Sequence, residues 1–174
     1  MKLAVVAFPR LETADHEWVE SIRAKHDPQA ARIAAHFTLV FPTDASPDDV
    51  SREIAVVAES TPPFAFVVRH AEAVADRLGA GSHVFLVPGE GGAILTTLHD
   101  RLYAGTLVAR LRSDVPFIPH ITIGVASDFQ AAARLAGEID ERARLVRGTI
   151  GAVELLDVSA ARIRSLATYN LGSG

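Results

Sequence analysis

The chain has 174 residues, 49% of them hydrophobic and 22% charged, a balance that fits one globular domain or two small lobes sharing a core. Its net charge of −4 argues against tight, sequence-independent binding to long nucleic acid, which needs concentrated Lys and Arg, but leaves room for a small phosphorylated ligand in a local pocket. The absence of cysteine excludes disulfides, thiolate catalysis and cysteine-based zinc sites.

In chain order, "KLAVVAF" (2–8) reads as a strand ended by Pro9. This apolar run is too short for a signal-peptide core or a membrane span, so a cytoplasmic protein is expected. Residues 13–25 have helical period, with Thr13 as N-cap and Trp18, Val19 and Ile22 on one face. "HFTLVF" (36–41) is a strand stopped by Pro42. Residues 46–60 form a helix with Ser46 as N-cap, Pro47 in its first position and acids in its first turn. Residues 64–74 return to strand character, and 83–88 form a further strand. Residues 91–103 are helical in period, 120–125 a strand, and 128–143 a helix capped by Asp128. Residues 148–158 and 162–171 are the last two strands.

The order repeats. Each half reads strand, helix, His-x-Thr strand, helix, strand, and the two motif histidines, His36 and His120, lie 84 positions apart. Two repeats are too few for a solenoid. The expected fold is α+β: a bilobal pseudo-two-fold repeat with two antiparallel sheets lining a central cleft and helices outside. It forms a single domain of two similar lobes, about 1–78 and 79–174, with exchange of strands between lobes possible. The seam is expected at 76–83.

The motifs carry the chemistry. Side chains alternate along a strand, so His36 and Thr38 share one face while Phe37 and Leu39 take the other; His120 and Thr122 repeat this against Ile121 and Ile123. Two imidazoles and two hydroxyls then meet in a cleft. Histidine titrates near neutrality, so one ring can accept a proton from an attacking hydroxyl or water while the other protonates a leaving oxygen. The threonine hydroxyls can donate to non-bridging phosphate oxygens. Phosphodiester cleavage by this route needs no metal or cofactor, and no compact His/carboxylate ligand spacing is present.

The remaining candidates have plainer readings. His16 and His26 are expected on the solvated surface, His70 and His83 at the surface or a sheet edge with a place lining the cleft as the alternative, and His99 in a surface charge cluster with Asp100 and Arg101. "GEGG" (89–92) reads as a turn, since it lacks the Lys-Ser/Thr of a P-loop. Arg101, Arg110 and Arg112, with Arg142, Arg144, Arg147, Arg162 and Arg164, are expected mostly in solvent, with a part lining the cleft. Phe8, Phe41 and Tyr169 can pack in the core or stack a base.

The paired "HFTLVF" and "HITIGV" in a chain of this repeat order resemble the 2H phosphoesterase superfamily, which includes the 2′-5′ RNA ligase family and the cyclic phosphodiesterases. "IRAKHDPQAARIAAHFTLVFP" looks most like its small bacterial members. The resemblance implies metal-free action on 2′,3′-cyclic phosphate nucleotides or RNA ends, or on related 2′-5′ linkages. By motif match it implies His36 and His120 as the catalytic pair and Thr38 and Thr122 as the phosphate binders. Two positions depart from the family pattern: Ala35 stands where proline often precedes the first motif, and "GVASDF" follows the second motif without an arginine. The expected partner is a small nucleotide or RNA end, with no membrane. A non-catalytic module binding the same ligands through the same cleft is the alternative.

Overall fold

The computed structural model describes residues 1–76, 79, 81–141, 144–160 and 162–172. The elements run β1 (Lys2–Ala7), β2 (Arg10–Leu11), α1 (Thr13–His26), β3 (Phe37–Asp44), α2 (Pro47–Glu59), β4 (Phe64–Ala75), β5 (Ser82–Glu90), α3 (Gly92–Leu102), β6 (Ile121–Ala126), α4 (Phe129–Asp140), β7 (Val146–Ile150), β8 (Ala152–Asp157) and β9 (Arg164–Asn170), with a 3-10 turn at Val108–Arg110.

Membership of the core alternates along the central strands. Leu3, Val5 and Ala7 of β1 join the core with Phe37 and Leu39 of β3, Val84 and Leu86 of β5, and Ile121 and Ile123 of β6. The helices cover this face: α1 packs on β6, α4 on β4 and β5, α3 on β3 and β5, and α2 on β8 and β9. In α2, Val50, Ile54, Val57 and Ala58 form one buried stripe at helical spacing. The other face of β1, carrying Lys2, Ala4 and Val6, lines an open cavity.

Among the described residues all the pairings are antiparallel, as expected, but they form one sheet rather than two. The strands form one nine-stranded ladder in the order β2-β7-β4-β5-β6-β3-β1-β8-β9. The halves join through β3 and β6 at one pair, Phe37 opposite Ile121. Strands cross between the halves of the sequence. β4 pairs with β5 and β7, while β8 pairs with β1. Of the expected seam, residues 77, 78 and 80 lie outside the described residues; its flanks are the facing ends of the β4–β5 pair, Ala75 opposite Ser82.

Two local expectations change. The 148–158 segment is two strands, because the chain turns at Gly151 and sends β7 to β4 and β8 to β1. Thr13 is the first helical residue rather than the cap, a place taken by Glu12, and neither Glu12 nor Ser46 makes a side-chain cap bond. Asp128 does: its extended backbone (φ −151°, ψ 169°) aims the carboxylate at the Ala131 N–H, 2.8 Å away. Gly91 turns β5 into α3 at φ 81°, and a Cβ there would sit 2.6 Å from the Ala65 carbonyl oxygen, so the turn needs glycine.

Candidate active site

His36 and His120 each sit one residue before their strand, at the point where a loop delivers the chain to the sheet centre. Counting outward from the Phe37–Ile121 pair, position 36 lies across from 122 and position 38 from 120. Each histidine therefore faces the other motif's threonine. The four side chains are half-buried, whereas Phe37, Leu39, Ile121 and Ile123 between them are buried on the helix face.

Both rings are held in the same way. His36 Nδ1 lies 2.9 Å from the Ala34 carbonyl oxygen and His120 Nδ1 2.6 Å from that of Ile118. A carbonyl only accepts, so each Nδ1 carries the proton and each neutral ring keeps its lone pair on Nε2. Burial pushes the His120 pKa down to about 4, against the opposing pull of the Ile118 carbonyl, and positive charge on His36 and His83 lowers it further. Burial also lowers His36, again opposed by its backbone hydrogen bond, to Ala34.

Two cavities meet over these residues. One, of about 350 Å³, is bordered by His120, Thr38, Thr122, His83, Phe85 and Phe41. The other, of about 460 Å³, is bordered by His36 and again by Thr38, His83 and Thr122. The two threonines and His83 are thus the shared floor of one cleft, with His120 in one wing and His36 in the other.

Several of these roles lie outside the sequence reading. His83, for which the surface or an edge is the first expectation and the cleft the second, lines both wings, with its Nε2 3.6 Å from an Asp76 carboxylate oxygen. Phe85 stacks on His120 at 3.6 Å between centroids and on His83 at 5.5 Å, both at 17°. A bulge between Val84 and Phe85 in the β5–β6 register lets Ile123 and Gly124 both turn inward while Thr122 and Val125 both face the cleft. Alternation of His83 and Phe85 along one strand was the available signal, but nothing local ties them to position 120.

His99 is a correction. It is 3% exposed, not on the surface: its Nδ1 lies 2.8 Å from the Leu39 carbonyl oxygen and its ring stacks on Phe117 at 3.7 Å. It pins the segment before His120 to the middle of β3. Burial lowers its pKa, partly offset by that carbonyl. Arg23 does the matching work for His36. It is 1% exposed, paired with Asp27 at 2.9 Å and Glu20 at 3.0 Å, and donates to the Ile33 carbonyl at 2.8 Å, while Glu20 accepts from the Ala35 N–H at 2.7 Å. Glu20, Arg23 and Asp27 follow one another at spacings of three and four residues, the signal that could have found this clamp.

The other candidates scatter. His16, His26 and His70 are exposed. Arg101 donates to Thr61 at 3.0 Å and to Ser60; Arg144 pairs with Asp15 and Arg164 with Asp157, each at 2.6 Å; Arg147 and Arg162 are exposed, and Arg142 lies outside the described residues. Phe8 tilts against His36 at 6.0 Å, Phe41 lines the His120 wing, and Tyr169 packs on the core. Among the described residues no three His, Asp or Glu side chains are grouped as metal ligands, and no helix is long and apolar enough to cross a membrane.

A curled antiparallel sheet with two His-x-Thr strands at its centre and helices behind defines a phosphoesterase class, and the comparisons agree. The chain matches the 2′-5′ RNA ligase superfamily over residues 11–162 and belongs to that family, the 2H phosphoesterases. It is 28% identical over 127 residues to the "Putative phosphoesterase" of Geobacillus kaustophilus, covering 71% of this chain and 69% of that one. In fold it is similar to the protein TT0787 of Thermus thermophilus (TM-score 0.64, 17% identity, 99% and 98% of the two chains). It is likewise similar to LigT of E. coli complexed with 3′-AMP (TM-score 0.60, 21% identity, 98% and 97%).

Proposed function

We propose that the protein hydrolyses 2′,3′-cyclic phosphates of nucleotides or RNA ends, or related 2′-5′ linkages, by two-histidine acid–base catalysis without a metal. The observation that carries this reading is the paired anchoring of His36 and His120 through Nδ1, which leaves two Nε2 atoms for proton transfer beside two threonine hydroxyls. Water attacks phosphorus as one Nε2 takes its proton; the bond to O2′ or O3′ breaks as the other Nε2–H protonates that oxygen, and a phosphomonoester results. Thr38 and Thr122 donate to the non-bridging oxygens, where negative charge accumulates. The two rings need opposite protonation at the start and exchange it during the reaction.

The chain acts as one domain whose two halves share strands, with the reacting phosphate seated where β3 meets β6. A nucleotide-sized ligand is in keeping with the LigT complex with 3′-AMP.

The test is phosphorus NMR of the purified protein with 2′,3′-cyclic nucleotides and a short RNA ending in 2′,3′-cyclic phosphate, EDTA present throughout. A single phosphomonoester isomer is expected. Saturable binding with no product would replace the enzyme by a binding module with the same cleft.

A further inference from the structure

The cleft does not end at His120. A third cavity, of about 300 Å³, is bordered by Phe41, Pro42, Thr43, Arg110, Arg112 and Val115, and it shares Phe41 and Val115 with the His120 wing. The chain from the 3-10 turn at Val108–Arg110 to His120 thus forms one continuous wall: Arg110 and Arg112 at its far end, Val115, Pro116 and Ile118 in the middle, His120 at the reacting end. The wall is fastened from behind. Phe117 stacks on buried His99, and the Phe41 N–H across the gap donates to the Tyr103 hydroxyl at 3.2 Å.

The chemistry changes along this path. Beside His120 and Thr122 it is polar; past them it is apolar and aromatic, with Phe41, Val115 and Pro116; at the end it is cationic. No carboxylate borders the far cavity. Asp114 holds Arg112 through Nε (2.9 Å) and one terminal nitrogen (2.6 Å), and Arg110 has no carboxylate partner among the described residues. From Thr38 to Phe41 is about 10 Å along β3, and to Thr43 about 17 Å, at roughly 3.3 Å per residue. That gap exceeds a phosphate and suits a nucleoside.

We propose that Arg110 and Arg112 form an anion subsite for a second phosphate of the substrate, one nucleoside removed from the phosphate held at His36 and His120. The inference rests on the reading of the reacting site given above and narrows its substrate class. The nucleoside lies against Phe41, Val115 and Pro116, and its 5′-phosphate meets the two guanidinium groups, so an RNA end or a 5′-phosphorylated cyclic nucleotide is preferred to a bare nucleoside cyclic phosphate.

Calorimetric titration with adenosine 2′-phosphate and adenosine 2′,5′-bisphosphate tests it without requiring turnover. The bisphosphate is expected to bind about tenfold more tightly, the size of one solvent-facing charge-assisted contact. In an R110A/R112A variant the ratio of the two affinities should fall to near one. Both side chains are exposed, so the fold should survive the change. Equal affinities in the unaltered protein, a ratio that persists in the double variant, or no saturable binding of the bisphosphate would each overturn the subsite. Loss of the ratio in the variant, with no hydrolysis of cyclic phosphates by the unaltered protein, would keep the subsite and remove the hydrolytic reading instead.

Discussion

The two candidate catalytic rings share a geometry but not an environment. His120 is stacked on Phe85 and pushed down to about 4, while His36, tilted against Phe8, is lowered less far from its ordinary 6.5. A reaction that needs one neutral and one protonated ring draws on a form most abundant between the two apparent values. Below both values the rings are doubly protonated, and above both they are doubly neutral. The profile of kcat/KM against pH is therefore expected to peak on the acid side of 6.5 and to fall between about pH 6.5 and 8, whichever ring is the acid. Activity that climbs through about pH 8 would contradict the placement. His36, Thr38, His120 and Thr122 were legible because period two and a repeated triplet mark them without help from the fold. His83, Phe85, His99 and Arg23 were not, since each is defined by a partner from another element. Arg23 offers a direct check: removing it leaves Asp27 and Glu20 facing each other without their cation, so Arg23→Met is expected to cost about 3–5 kcal/mol in a denaturant titration.

At the scale of elements, each motif histidine ends a loop that a helix holds in place. Arg23 of α1 ties down the approach to His36, and His99 of α3 ties down the approach to His120. Replacing His99 by alanine removes a buried ring from between Leu39 and Phe117, and about 2–4 kcal/mol of stability should go with it. It should also lower kcat, because the Ile118 carbonyl that orients His120 lies next to Phe117. His99→Asn, whose amide can still donate toward the Leu39 carbonyl, should recover part of the kcat. A fall in stability with kcat intact would confine His99 to packing. Helix and strand types came through from sequence because apolar period and the Pro47 and Asp128 signals are local. The break at Gly151 did not, since only the different partners of β7 and β8 reveal it, and the cap expected at Thr13 falls one residue earlier, at Glu12, because start signals fix a helix end only to within a residue or two, whereas Ser46 does occupy the cap position of α2.

For the whole molecule, the repeat read from the sequence is present in the order of elements and in the ladder, which runs outward from the β3–β6 junction as β3-β1-β8-β9 on one side and β6-β5-β4-β7 on the other, with β4 and β8 exchanged between the halves. β8 and β9, late in the chain, extend the β1 side of the sheet, and β4, early in the chain, lies between β5 and β7. Pairing partners separated by most of the chain leave no local trace, which is why one ladder could not be told from two sheets. The exchange has a consequence. Fragments 1–78 and 79–174 each lack strands that their half of the sheet requires, so neither should show a cooperative thermal transition alone, and mixing them should restore one. Independent folding of either fragment would contradict the exchange.

The most direct measurement is kcat/KM on a 2′,3′-cyclic nucleotide, with EDTA present, for His36→Ala, His120→Ala and the double variant, each checked for folding by circular dichroism. Each single change is expected to lower the value by about 10²–10⁴. The double change should add little to the worse single one, because two residues that pass protons through one transition state act as a unit. A folded single variant that keeps near-full turnover would contradict the two-histidine account.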